Sequence, residues 1–171
     1  MSTTDNFQKR LGKGMIAVAW IILLGLLTLL FSNYLDKQNN PNQSPLSLNQ
    51  QGRQQVVLER NRSGHYVVSG RINNSPVVFL VDTGATDVAV PEKLAERLHL
   101  QKGMANLSKT ANGMARSYQT TLDNVSIGSI QLFDIRASIL PGMSGDEVLL
   151  GMSFLKHLEL RQKGNTLTLT Q

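Results

Sequence analysis

The chain has 171 residues, 41% of them hydrophobic, and no cysteine, which leaves room for one small domain with a short extra segment and excludes disulfides and thiolate metal sites. Five basic and two acidic residues fall in the first 55 positions, against twelve and ten in the remainder, so the basic excess sits near the amino terminus. With aromatic residues at only 5%, there is no aromatic-lined basic face of the kind that nucleic-acid binding needs.

No charge stands between Lys13 and Asp36, and residues 15–31 are almost wholly aliphatic. At 1.5 Å per residue this span covers a hydrocarbon core of about 30 Å. The sequence predicts an N-terminal tail over 1–13 and one transmembrane helix over 14–35. A cleaved signal peptide is the competing reading, but the apolar stretch is longer than a usual h-region and no small-x-small site follows it. Lys9, Arg10 and Lys13 precede the helix and only Lys37 closely follows it. The positive-inside rule then keeps the amino terminus cytoplasmic and puts the rest outside, which in a Gram-negative cell means an inner-membrane protein with a periplasmic domain. Residues 36–55 are rich in Gln, Asn, Ser and Pro with no hydrophobic period, and predict a flexible linker. Tethering two copies in one membrane would raise their effective concentration for dimerising.

From residue 56 onward the pattern is one of short strands. Residues 65–72 alternate and end in Asn73-Asn74-Ser75, a turn cluster, before Pro76 opens an apolar run ending at Asp82. Ala89-Val90 gives a short strand, and residues 91–98 a helix with proline in its first turn and Leu94 and Leu98 facing inward. Residues 104–110 and 115–122 flank Asn112-Gly113, a hairpin signal. Residues 125–127 and 130–140 pair across Gly128-Ser129, 141–146 form a loop, and 152–157 a short helix. Residues 158–160 and 166–169 are terminal strands, which would be aggregation-prone edges unless paired. The three histidines, His65, His99 and His157, lack the spacing that gathers metal ligands. Neither a metal nor another cofactor is expected.

Asp82-Thr83-Gly84 is the chain's only Asp-Thr-Gly. A carboxylate at the exit of a buried strand costs free energy unless it has a use, although Asp and Gly can also simply make a turn. Peptide hydrolysis through a water activated by two carboxylates that share a proton would give it one. Gly84 lets the backbone turn and bring amide donors to the carboxylate, and Thr83 can donate its hydroxyl across the site. One triplet supplies one carboxylate, so Asp82 would act as the catalytic residue of an obligate homodimer, contributed twice across a two-fold axis.

The stretch Phe79-Leu80-Val81-Asp82-Thr83-Gly84-Ala85-Thr86-Asp87 resembles the active-site segment of the retropepsins, the single-domain dimeric aspartic proteases known from retroviruses. Val148-Leu149-Leu150-Gly151 resembles the two-hydrophobes-then-Gly signature near the end of that fold. Gly64-His65-Tyr66, Thr110-Ala111-Asn112-Gly113 and Leu150-Gly151-Met152-Ser153-Phe154-Leu155 extend the likeness to bacterial membrane-anchored relatives. The resemblance implies a mostly β, closed, single-domain fold over 56–171 with one or two short helices. It also implies an aspartic endopeptidase acting on peptides or proteins, termini of two subunits interleaved in a shared sheet, and a flap at the 104–122 hairpin. Ala85, Thr86, Asp87, Asn112 and Gly113 would then meet substrate.

Two positions depart from the viral pattern. Thr86 stands where an Asp commonly grips substrate backbone, with Asp87 one place later, and the flap tip has only Asn112-Gly113 before Met114. Asp87 reads as a structural or substrate-side hydrogen-bonding residue and not as a second catalytic acid. Two other readings stay open: a peptide-binding domain of the same fold without turnover, and a structural β domain in which the triplet is incidental.

Overall fold

The computed structural model describes residues 3–50, 52–110 and 113–171. The chain divides into two units, one ending at Lys37 and one spanning Gln38–Gln171.

The first unit is built on helix α1 (Thr3–Asn39). Its stretch Gly14–Asn39 has 26 residues, about 39 Å at 1.5 Å per residue, with Asp36 and Lys37 in its last turn. Trp20, Leu24, Leu30 and Phe31 are all exposed. The Thr28 hydroxyl donates to the Leu24 carbonyl (2.8 Å) and Ser32 to Leu29 (3.1 Å), so both donors are satisfied within the helix, as an apolar surrounding requires. Length and composition suffice to cross a bilayer, a test that a signal sequence also passes.

The second unit is mostly β. In chain order it holds β1 (Leu46–Gln50), β2 (Arg53–Glu59), β3 (Val67–Ile72), β4 (Ser75–Val81), β5 (Val88–Pro91), α2 (Glu92–Arg97), β6 (Ala105–Thr110), β7 (Gly113–Ile127), β8 (Ile130–Leu140), β9 (Glu147–Leu150), α3 (Met152–Leu155), β10 (Glu159–Lys163) and β11 (Thr166–Thr170). Strands run in the order β3-β4-β9-β5-β8-β7, and β7 pairs back onto β3 through Arg71↔Ser126 and Ile72↔Val125. That pairing closes a six-stranded barrel, with β6 appended to the far edge of β7.

Closure requires β3 to pass very near β7 at Gly70, where a Cβ would collide with the Ser126 carbonyl oxygen and lie 2.8 Å from a ring carbon of Phe79. The β3–β4 hairpin turns on Asn73 and Asn74, with φ of 46° and 65°, the left-handed pair that asparagine tolerates and type I′ turns demand. Pro91 caps α2 with φ −58°, and the helix buries Leu94 and Ala95, with Leu98 packed on the core beyond. Phe79, Ile72, Leu122, Val125, Ile127, Ile139, Val148, Leu150 and Phe154 fill the interior.

A second sheet, in the order β1-β2-β11-β10, lays Val56, Leu58, Leu167 and Leu169 on the same core. The terminal strands β10 and β11 form a hairpin whose second strand pairs with β2 of the same chain, leaving β1 and β10 as the outer strands. The sheet changes one expectation. The segment 36–55, expected as a flexible linker, contributes the end of α1, all of β1 and the start of β2. Composition misled here because β1 alternates only Leu46 and Leu48 among polar residues, and its order comes from pairing with β2, which local composition does not encode.

The same segment carries a buried polar hub at Asn42. Its side-chain amide donates to the carbonyls of Glu59 (2.9 Å) and Val67 (2.7 Å) and its Oδ1 accepts from the Glu59 amide (2.7 Å). Its own carbonyl accepts from the Ser69 amide (3.1 Å), and Asn40 braces it through Oδ1 (3.1 Å) while donating to Ser69 Oγ (2.9 Å). Asn42 thus occupies the gap between β2 and β3, satisfying backbone groups that neither strand can pair. Asn42→Ala strands two carbonyls and one amide, and should lower unfolding free energy by about 2–4 kcal/mol in chemical denaturation. An exposed control such as Asn49→Ala should change it by less than about 0.5 kcal/mol.

Candidate active site

Strand β4 delivers Asp82, and the geometry of its neighbours decides where that residue can go. β9 lies between β4 and β5, parallel to β4 (Val81↔Leu150) and antiparallel to β5 (Ala89↔Leu149). The loop 82–87, which connects β4 to β5, must therefore cross the end of β9. Four backbone contacts hold the crossing: Val81 N to Tyr66 O (2.9 Å), Asp82 N to Leu150 O (3.2 Å), Met152 N to Ala85 O (2.8 Å) and Ser153 N to Thr86 O (2.9 Å). Gly151 lies directly beneath, where a Cβ would collide with the Asp87 carbonyl oxygen and stand 2.7 Å from that of Ala85. Its value there is the space it leaves.

Asp82 is half-buried, and its Oδ1 accepts from the Gly84 amide at 2.9 Å. A hydrogen bond to a carboxylate fixes its orientation. Gly84 is absent from the left-handed glycines, so a special φ is not why glycine stands there. An added Cβ would come within 3.2 Å of Asp82 Oδ1, so glycine serves close approach of the amide. No second acidic side chain is hydrogen-bonded to Asp82 among the described residues. Thr83 is exposed at the loop's outer edge.

Asp87 turns away from that edge. Its Oδ1 accepts from Arg136 Nε (2.7 Å) and its Oδ2 from the Ser138 hydroxyl (3.3 Å), both on β8, and the side chain is only 22% exposed. The structure thus favours a structural role over contact with substrate. Ser153 completes the anchoring: its buried hydroxyl donates to Arg136 O (2.7 Å) and accepts from Val88 N (3.0 Å). Arg136, Ser138 and Ser153 were not singled out by sequence reasoning. Arg136 is 49 residues from Asp87 and no local pattern links them, whereas Ser153 lay inside a quoted motif without a role.

The expected substrate contacts at Ala85 and Thr86 have their carbonyls already engaged by α3, leaving Thr86 exposed and Ala85 half-buried. The 104–122 hairpin forms as β6 with the first half of β7, Thr110 opposite Gly113. Gly113 is therefore in the strand, at φ 105°, and Asn112 lies outside the described residues. Met104, Leu107 and Met114 on this hairpin are strongly exposed. A groove of about 590 Å³ is lined by residues that include His99, Lys102, Gln119, Thr121, Asp123 and Arg136, with Asp82 not among them. Lys102 at its side donates to Glu92 (2.6 Å), a contact that raises the pKa of its ammonium. Among the described residues no group of three or more His, Asp or Glu gathers that could hold a metal.

The model of a family described as gag-polyprotein putative aspartyl protease matches residues 68–157, a range that contains the crossing loop, β9 and α3. An uncharacterised protein from the cobV 5′ region of a Sinorhizobium species is 31% identical over 91% of this chain and 72% of its own length. An uncharacterised protein of Rickettsia prowazekii (strain Madrid E) is 30% identical over 61% of this chain and 46% of its own. Among solved structures, a retropepsin-like aspartic protease from Rickettsia conorii superposes with a TM-score of 0.56 at 28% identity, covering 74% of this chain and 94% of that one.

Gly151→Ala tests the crossing directly. It should cost about 3 kcal/mol or more by overpacking against backbone that cannot move aside, read as a lowered denaturation midpoint. Gly142→Ala, where a Cβ meets nothing within 4 Å, is the control and should be close to neutral.

Proposed function

This chain belongs to the gag-polyprotein aspartyl protease family, with the retropepsin-like fold, and on that premise we propose that it is an aspartic endopeptidase completed by homodimerisation. Asp82 from each of two copies would meet across a two-fold axis. At that separation both carboxylates cannot stay ionised, so one proton is shared. The ionised member draws a proton from a water, and the water attacks the scissile carbonyl. The protonated member hydrogen-bonds the carbonyl oxygen, then passes a proton to the departing amine. Neither a metal nor a covalent intermediate is needed.

The observation that supports this reading is the fixed setting of Asp82 at the exit of β4. Its carboxylate is oriented by the Gly84 amide at 2.9 Å, the loop beneath is locked by α3, and the nearest acid in sequence, Asp87, is already committed to Arg136. Thr83, exposed beside Asp82, would donate its hydroxyl to the partner copy. The β6–β7 hairpin, with its exposed Met104, Leu107 and Met114, is the element we assign as a flap that closes over an extended peptide. Helix α1 anchors the chain as a single inner-membrane span, with Lys9, Arg10 and Lys13 on the cytoplasmic side and Gln38–Gln171 in the periplasm. A peptide-binding domain without turnover is the second reading, favoured by Thr86 standing where the viral enzymes commonly carry an Asp.

Asp82→Asn should lower peptide cleavage at least about a thousandfold while leaving folding and dimerisation intact. Mixing it in equal amount with the parent should leave only about a quarter of the dimers with two aspartates, so activity should fall well below the half expected of independent monomers. Parent-level cleavage by Asp82→Asn would defeat the mechanism, and a linear dilution on mixing would defeat the shared site. A periplasm-dependent reporter fused after Gln171 should be active, and one that works only in the cytoplasm should not.

A further inference from the structure

We propose that Arg136 is a specificity-determining residue that recognises an acidic side chain of a bound peptide, several residues away from the bond at Asp82. The inference rests on the endopeptidase reading above and assigns a substrate preference to the surface beside the same loop.

Arg136 projects from the outer face of β8, between Ile135 and Ala137, whose side chains are buried in the barrel. Its Nε donates to Asp87 Oδ1 at 2.7 Å, while Ser138 holds the other carboxylate oxygen at 3.3 Å. The carboxylate is thereby fixed from two sides, and the guanidinium plane is fixed by the carboxylate. An arginine offers five N–H donors in a rigid fork. Only Nε has a partner among the described residues, and the side chain is 63% exposed. Both terminal nitrogens of an already oriented fork therefore remain open to a ligand, in the geometry that suits a carboxylate.

The surroundings favour an anchored peptide over a solvent-facing ion pair. Arg136 lines the groove of about 590 Å³, alongside Gln119 and Thr121, and Thr121 is its direct partner across the β7–β8 pairing. Two other charged side chains, Lys102 and Asp123, line the groove. Lys102 is committed to Glu92 at 2.6 Å and approaches Glu96 at 4.0 Å. Asp123, also in the lining, makes no ion pair with Arg136. Arg136 is thus the cation with donors to spare, and Gln119 and Thr121 can hydrogen-bond an adjacent main chain.

The loop sets the reach. Asp87 follows Asp82 by five residues, and five Cα steps of 3.8 Å cap the separation at about 19 Å. An extended peptide advances about 3.3 Å per residue, so the side chain that meets Arg136 lies within about six residues of the scissile bond. Preorganisation by Asp87 reduces the ordering cost of the pair, and a partly exposed Arg–carboxylate contact should change affinity about five- to tenfold.

The test uses the full-length Asp82→Asn chain in detergent, so that binding is read without turnover. A set of labelled extended peptides, amidated at the carboxy terminus, carries one Glu or one Gln at successive positions, and anisotropy reports affinity. The expected result is a five- to tenfold preference for Glu at one position or two adjacent ones, lost in Arg136→Gln and clearly weakened in Arg136→Lys, which keeps the charge without the oriented fork. A direct readout needs no change at Arg136: its Nε–H NMR resonance should shift with the Glu peptide and stay with the Gln peptide. Equal binding of both peptides, a preference that survives Arg136→Gln, or no binding of any peptide would overturn the proposal. Cleavage of the same peptides by the parent chain judges the endopeptidase reading separately, since turnover without a Glu preference rejects Arg136 alone.

Discussion

Everything at the candidate site depends on one steric constraint, that a loop must pass over the end of the strand between the two strands it joins. β9 separates β4 from β5, and the polypeptide carrying Asp82 has to climb across it. The crossing is possible because Gly151 withholds a side chain where the Asp87 and Ala85 carbonyls come down. It is rigid because α3 then turns its first amides up to the loop carbonyls. The strand end that carries Asp82 is consequently held by backbone on both sides, through Tyr66 and Leu150. A site built this way loses little entropy when it binds, since the loop is already ordered.

That rigidity extends outward through side chains. Ser153 ties the loop end at Val88 to the carbonyl of Arg136, and Arg136 ties β8 back to Asp87. The exposed pair Arg136–Asp87 contributes only about 1 kcal/mol to stability by itself. Its larger effect is orientation, because it settles which way the guanidinium fork points. A contact of small energy can therefore decide what the neighbouring surface is able to bind.

The four-stranded sheet has a different consequence. By pairing β11 with β2, it satisfies most of the terminal backbone within the chain itself. Its outer strands are β1 and β10. The polar hub at Asn42 fastens this sheet to the barrel, where two strands diverge and leave amides and carbonyls without ladder partners. Buried asparagine is costly when unpaired and strongly localising when every polar atom is matched.

The sequence by itself determined the locally encoded parts. Alternation and turn chemistry marked the β3–β4 hairpin at Asn73-Asn74, Pro91 marked the start of α2, and a long uncharged run marked α1. The Asp-Thr-Gly triplet and the Leu-Leu-Gly motif pointed to the family, because residues that must make a tight approach leave a recognisable local signature. Tertiary structure alone decided what depends on distant pairing. It put Arg136 against Asp87, drew 46–50 into a sheet, and gave Asn42 its partners across 17 and 25 residues. A polar segment such as 36–55 carries no hydrophobic period, so its order comes from backbone groups elsewhere that lack partners, and no local pattern of residues can announce those.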